Sequence, residues 1–258
     1  MVTRAALLFF GREPQWRFPE AYVTCACYAD ETRAKVLDRG DATGHLLRQF
    51  DEATAFLKRN LLTGYRIETL GPREEVPEIP GAVLREALLN ALTHRDYFAD
   101  TEHIYVHVHP GRVEITNPGG LPPGLTLADL GTRAVPRNRL IADLFHRMGY
   151  VERLGSGIAR MRQVMAEAGL PPPRFTISAD AFRISLETWA ALGLALETAP
   201  VLDAVRRRGH VTAAMVAGQL KVSRDTAQRL LNKLVEAGLM ERVGAARSTR
   251  YVLRGAQP

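Results

Sequence analysis

Cysteine is nearly missing from this chain: only Cys25 and Cys27 occur among 258 residues. A spacing of two puts both on one face of a strand, too close along the chain for an unstrained bridge. A disulfide-stapled scaffold is thereby excluded, and both thiols are expected as buried apolar fillers in a reducing compartment. Long hydrophobic runs are missing too. The apolar opening, Ala5 to Phe10, falls far short of the roughly 20 residues that a membrane span needs, and no small-residue cleavage site follows it. A protein without a membrane segment, in the cytoplasm, is expected. Acidic excess is absent as well, since Lys and Arg total 34 against 28 Asp and Glu.

What is present is the composition of a globular protein, 46% hydrophobic and 24% charged, long enough for one large domain and a small one. Its charge is unevenly placed. Residues 191–258 hold 11 Lys and Arg against 5 Asp and Glu, so the entire net charge of +6 lies there and the preceding 190 residues balance at 23 against 23. A local basic excess is the electrostatic footprint of a nucleic-acid-binding module.

The stretch from Arg85 to Tyr97 is the one around which the larger part is organised. Val83, Leu84, Ala87, Leu88, Ala91 and Leu92 recur at helical spacing and predict a helix with one apolar face. Glu86, Asn90 and His94 form a polar line four residues apart, where a carboxylate and a carboxamide can serve one ligand together. The same spacing also suits an ordinary solvated face, with His94 and Arg95 near the helix C-terminus, where cations are favoured.

Met1 to Phe10 is apolar from its start, so it needs a partner: either the sheet recruits it or a preceding domain is missing. A strand is expected over Ala21 to Tyr28, another over Arg33 to Leu37, an amphipathic helix over His45 to Leu61, and a strand over Arg66 to Leu70. Pro72, Pro77 and Pro80 lead into the Glu86 helix. After Asp100 the period becomes two: Ile104, Val106 and Val108 face one way, His103, Tyr105, His107 and His109 the other, and Pro110-Gly111 turns the chain into Arg112 to Thr116. Histidines on one strand face can hold a metal, but no carboxylate or thiolate at ligand spacing accompanies them, and a solvated or stacked face is the plainer reading.

The hairpin runs into Asn117-Pro118-Gly119-Gly120-Leu121-Pro122, whose glycines allow positive φ and close approach of backbone to a ligand. A helix is expected over Asn138 to Met148, and Gly155-Ser156-Gly157-Ile158 opens another in which Ala159, Met161, Val164, Met165 and Ala168 are apolar. Free N–H groups at such a helix start can bind phosphate, although Gly-Ser-Gly is also a common tight turn. Strands over Phe175 to Leu186 close the unit.

From Ala191 the pattern is helical. One helix ends at Gly209, Thr212 caps Ala213 to Leu220, Ser223 caps Arg224 to Ala237, and Met240 to Val243 pairs with Thr249 to Leu253. This is a winged helix-turn-helix. Double-stranded DNA is the expected partner, met by Ser223, Arg224, Gln228, Arg229 and Lys233 on the recognition helix and by Arg247 and Arg250 on the wing. A winged helix used for protein contacts alone is the alternative.

Together these motifs resemble the RecG-related, Schlafen AlbA-type transcriptional regulators, whose middle region is similar to a divergent GHKL nucleotide-binding domain. The resemblance rests on Arg85 to Tyr97, Asn117 to Pro122, Pro136-Arg137-Asn138 and Gly155 to Ile158, in the family's order. It implies an α+β protein: a GHKL-like α/β sandwich over residues 1–187, then a small winged helix over 191–258. By this resemblance Glu86 activates water, Asn90 holds magnesium, and His94, Asn117, Gly119, Gly120, Gly155, Ser156 and Gly157 line an ATP site. Where the first glycine box of GHKL proteins begins with an Asp that accepts the adenine amino proton, this chain has Asn117. The glycine spacing after it is irregular, and the second glycine box is short. The N-terminal AlbA-type domain of the family has no counterpart in the sequence. The resemblance also implies a homodimer.

The expectation is a DNA-binding transcriptional regulator with an ATP-binding domain, intact or degenerate. A magnesium-dependent ATPase acting on or near DNA, and a dimerisation scaffold that binds no nucleotide, are the two alternatives.

Overall fold

The computed structural model describes residues 2–61, 63–67, 73–133, 135–151, 156–188, 198–236, 239–244 and 249–253. Its centre is a six-stranded mixed sheet. The strands are β1 (Val23–Tyr28), β2 (Val36–Ala42), β5 (Ile104–His109), β6 (Arg112–Pro118), β7 (Arg174–Ile177) and β8 (Ala181–Glu187), in the order β2-β1-β5-β6-β8-β7. Only the β1–β5 pair is parallel. That pair needs a crossover, and the chain between β1 and β5 supplies β2, α2 (Leu46–Asn60), a separate hairpin β3–β4 (Thr63–Ile67 and Arg73–Pro77) and α3 (Gly81–His94).

Alternation decides what the sheet buries. Val23, Cys25 and Cys27 stand beside Ile104, Val106 and Val108, and Val106 lies opposite Ile115, so one face is continuous apolar surface. Helices α2 and α3 pack on it. Leu46, Phe50, Ala53, Phe56 and Leu57 are the buried stripe of α2, and Val83, Ala87, Leu88, Ala91 and Leu92 that of α3, the latter as the periodicity predicts. Both cysteines are free and buried, and burial raises the Cys25 thiol to about 12. They fill space, as expected.

Two further helices complete this layer, α4 (Arg139–Arg147) and α5 (Gly157–Glu167), with Ile141, Phe145, Met161 and Met165 inward. Ala159 is exposed, so the apolar face of α5 is narrower than its sequence implies. The apolar opening forms a short helix, α1 (Arg4–Phe10), capped by Thr3. It is not recruited by the sheet: it packs against α2 and α4, with Phe9 edge-on to Phe145.

Two strands start elsewhere than the sequence suggests. Residues 30–35 form a turn in which Arg33 has φ 61° and Ala29 N–H donates to the Lys35 carbonyl, so β2 begins only at Val36. The strand expected over Arg66 to Leu70 is β3, ending at Ile67, and residues 68–70 lie outside those described.

The C-terminal part has its own apolar core, built from Val201, Leu202, Val205, Val211, Val216, Leu231, Leu234, Met240 and Tyr251. Its elements are α6 (Thr198–Arg208), α7 (Ala213–Leu220), α8 (Arg224–Glu236), β9 (Met240–Val243) and β10 (Arg250–Leu253). Gly209 adopts φ 75°, Thr212 accepts from Met215 N–H, and Ser223 from Thr226 N–H, so the stops and caps fall where the sequence places them. Val211 adds a short bridge to Tyr251, widening the β9–β10 hairpin. No helix among the described residues is long and apolar enough to cross a membrane.

Candidate nucleotide cleft and DNA-facing helix

A cleft of about 330 Å³ lies between α3, the end of β6, the segment that follows it and the start of α5. Glu86, Asn90 and His94 reach it from α3, Asn117, Gly119 and Gly120 from the β6 end, and Gly157 and Ile158 from α5. Of the expected site residues, the structure thus gathers seven around one space. Ser156 lies beside a neighbouring surface hollow instead, and Gly155 is outside the described residues.

The polar line on α3 works as a unit. Asn90 Nδ2 donates to Glu86 Oε1 at 3.0 Å, a contact that the i,i+4 spacing alone provides. Glu86 also approaches the first turn of α5: a Cβ built on Gly157 would lie 1.8 Å from Glu86 Oε1. A side chain at 157 would push the Glu86 carboxylate out of its present position, so glycine here lets the carboxylate sit against the start of α5. A helix N-terminus carries unpaired N–H groups and partial positive charge, so a carboxylate is favoured there, as a phosphate would be. His94 is neutral, its pKa pulled down to about 4 by burial and by the Arg137 guanidinium.

The glycines after β6 have another role than their sequence suggests. Gly119 does adopt positive φ, at +93°, and its missing side chain makes room for Asp96 and Arg137. At Gly120 a Cβ would lie 2.5 Å from the Ser178 carbonyl oxygen and 3.0 Å from that of Ala179. What comes close here is the β7–β8 turn. Asn117 is still within β6 and buried at 4% exposure. With its amide oriented to satisfy both neighbours, it donates to the Ala91 carbonyl at 3.3 Å and accepts from Arg95 N–H at 3.2 Å. Its amide thus clasps the end of α3.

Arg95 corrects the picture of a solvated helix end. Its side chain is buried and forks into four carbonyls: Nη1 donates to Asp96 at 3.0 Å, and Nη2 to Glu20, Ala99 and Glu102 at 2.8, 3.2 and 2.7 Å. This knot holds the turn after α3. Asn138 joins it from the start of α4, donating to the Thr93 and Arg95 carbonyls at 2.9 and 2.7 Å. Arg137 donates to the Gly120 carbonyl at 2.6 Å and lies 3.4 Å from Asp96. Neither residue stands out by periodicity as a site residue, because their contacts lie 17 to 45 positions away along the chain.

On the opposite face of the sheet the histidines in and just before β5 are stacked, not merely solvated. His103 lies over Tyr22 with ring centroids 4.1 Å apart and hydrogen-bonds Thr24 and Glu20, and His109 stacks on Tyr28 at 5.2 Å. The carboxylate that the strand itself lacks comes from its partner, since the hairpin register sets Glu114 opposite His107. The signal was present: a turn at Pro110-Gly111 pairs 109 with 112 and hence 107 with 114.

In the second unit, Arg224, Arg229, Asn232 and Lys233 are exposed on α8, and so are Ser223 at its cap and Arg250 on the wing. Gln228 is not free to reach outward. It is half-buried and donates to Asn232 Oδ1 at 3.0 Å and to the Tyr251 hydroxyl, tying the helix to the wing. Arg247 lies outside the described residues.

Comparison with known proteins resolves both units. Residues 101–186 match the family described as "Putative ATP-dependent DNA helicase recG C-terminal", and residues 192–250 match the MarR family. The chain joins a RecG C-terminal-type HATPase-like domain to a MarR-family winged helix. The HATPase-like match begins after α3, so Glu86 and Asn90 lie ahead of it. Among curated proteins nothing matches the chain. Among solved structures the DIP2311 protein from Corynebacterium diphtheriae is similar, with a TM-score of 0.66 and 23% identity over 98% of this chain. That likeness is one of fold. The chain spans about half the length of that protein, 54%.

Proposed function

We propose that this protein is a DNA-binding transcriptional regulator whose HATPase-like domain, residues 1–187, binds ATP with magnesium and whose winged helix, residues 191–258, contacts duplex DNA as part of a homodimer. The MarR-family match and the exposed basic residues of α8 support DNA binding. One observation carries the nucleotide reading: Glu86, Asn90 and the glycine start of α5 meet in one cleft, although Gly157 lies 71 positions after Glu86.

The residues present fit magnesium and a triphosphate. Asn90 offers a carbonyl oxygen of the kind a hard cation takes, and the α5 N-terminus offers N–H groups to phosphate oxygens. Magnesium, when bound, neutralises phosphate charge and polarises the terminal phosphoryl group. Asn90 would help hold the cation, and Glu86, beside it on α3, would be the group to accept a proton from water. His94, uncharged, adds no competing positive charge. Asn117 is already committed to backbone, so its oxygen reaches adenine only if the clasp on Ala91 and Arg95 opens, which weakens base selectivity.

The 3.0 Å contact between Asn90 and Glu86 favours a second reading, slow ATP hydrolysis in the same cleft. Glu86→Gln separates the two. Under hydrolysis it abolishes phosphate release while ATP binding persists; equal, background-level release from both forms leaves binding alone as the function. A regulator also requires the winged helix: deleting 191–258 must remove duplex-DNA affinity, and retention of that affinity would refute the assignment. Coupling between the two units requires ATP to bind one arrangement of the protein better than another.

A further inference from the structure

On the sheet face turned away from the nucleotide cleft, His107, His109 and Glu114 bring two imidazoles and a carboxylate together, each offering a ligand atom within 4.8 Å of the others. We propose that this trio is a binding site for a divalent transition-metal ion, zinc in the first instance.

The geometry begins with the β5–β6 hairpin. His107 and His109 are two apart and share a face, and the register brings Glu114 directly across from His107. His109 Nε2 lies 3.6 Å from Glu114 Oε2, close to the separation of two ligands on one tetrahedral ion. The His109 side chain is wholly inaccessible, yet neither of its ring nitrogens has a hydrogen-bond partner. A buried imidazole with nothing to bind is an unsatisfied ligand.

A cation already stands in this position. Arg33 Nη2 sits 3.0 Å from the same Glu114 oxygen that faces His109, while Arg112 holds the other carboxylate oxygen at 3.0 Å. Arg33 comes from the turn with φ 61°, and its side chain is 40% exposed, so it can swing into solvent. The ion would replace it on Glu114, and Arg112 would remain as the group that orients the carboxylate. Two nitrogens and one oxygen suit zinc or cobalt over magnesium and calcium, and three protein ligands leave one position for water. Arg112 and Arg33 nearby, and the lack of a hydrogen bond behind His109, weaken the site relative to one with a supporting outer shell. His103 takes no part, being bonded to Thr24 and Glu20.

The test is equilibrium dialysis of the full, tag-free chain against zinc chloride, counted by atomic emission, with the visible absorbance of added cobalt(II) as a report on coordination. Expected are one zinc per chain, not displaced by excess magnesium, a tetrahedral cobalt band, and affinity reduced at least about tenfold in both His107→Ala and Glu114→Gln. Arg33→Ala must bind zinc more tightly than the natural chain, a gain that misfolding does not produce. No retained zinc, retention unchanged by His107→Ala and Glu114→Gln, or no tightening in Arg33→Ala would each overturn the proposal.

Discussion

Replacing Arg95 by Met tests whether the end of α3 is held as described. The guanidinium makes four hydrogen bonds to carbonyls of Glu20, Asp96, Ala99 and Glu102, while its Nε finds no partner. Bonds from a charged donor contribute about 1.5–3 kcal/mol each. Against them stands the desolvation of a buried charge, several kcal/mol, which Met relieves while filling part of the volume. These two contributions largely offset. What remains is the cost of carbonyls left without donors, about 1–3 kcal/mol for each one that water cannot reach. If the turn opens enough to hydrate about half of them, the net loss is about 3 kcal/mol. For a domain of this size that lowers the thermal midpoint by about 6–12 °C. Scanning calorimetry reads it. The same variant must weaken nucleotide binding, because Asp96 stands on the loosened turn and holds Arg137, which lines the cleft. A midpoint within 2 °C of the natural protein, a loss below about 1 kcal/mol, would refute the carbonyl knot as a stabilising element.

Other consequences are equally direct. Gly157→Ala gains some helix propensity but pushes the Glu86 carboxylate aside and crowds the start of α5, so stability stays within about 1 kcal/mol while magnesium-ATP binding weakens at least about tenfold, read by scanning calorimetry and titration calorimetry. His94 and His107 have pKa values lowered to about 4, so the unfolded chain binds protons that the folded one does not between about pH 6.5 and 4. Stability is therefore fully present above pH 6.5 and declines as pH falls through that window; denaturant midpoints across it check this, and His94→Gln flattens the decline. On the DNA side, replacing both Arg224 and Arg229 by Ala should weaken duplex binding and lower the slope of log affinity against log salt by about 2, while Gln228→Ala acts mainly through the stability of the wing.

Much of the fold was legible because it is written in local periods. The α3 stripe, the polar line through Glu86, Asn90 and His94, the alternation of β5 and the caps at Thr212 and Ser223 each depend on residues a few positions apart. What escaped depends on distant partners. Arg95 has the composition of a solvated helix end and is buried only because carbonyls from Glu20 and Glu102 converge on it. Gly120 looks like a ligand-facing glycine, and only the sheet order β6-β8-β7 puts the Ser178 carbonyl against it. The start of β2 was misplaced because Arg33 adopts positive φ without being glycine. In the cleft, the contribution of α3 could be anticipated, but the roles of Arg137 and Asn138 follow from tertiary contacts with Asp96, Gly120 and Thr93. Glu114 was within reach of sequence reasoning, since hairpin register alone sets it against His107.

The central claim is that Glu86, Asn90 and the start of α5 make one magnesium-nucleotide site. A thermal-shift titration with ATP, ADP and GTP, each with and without magnesium, beside Asn90→Ala, tests it most directly. A ligand that binds the folded chain raises its midpoint. The account predicts a magnesium-dependent rise with ATP that Asn90→Ala loses; no rise at millimolar nucleotide, or the same rise in the variant, would contradict it.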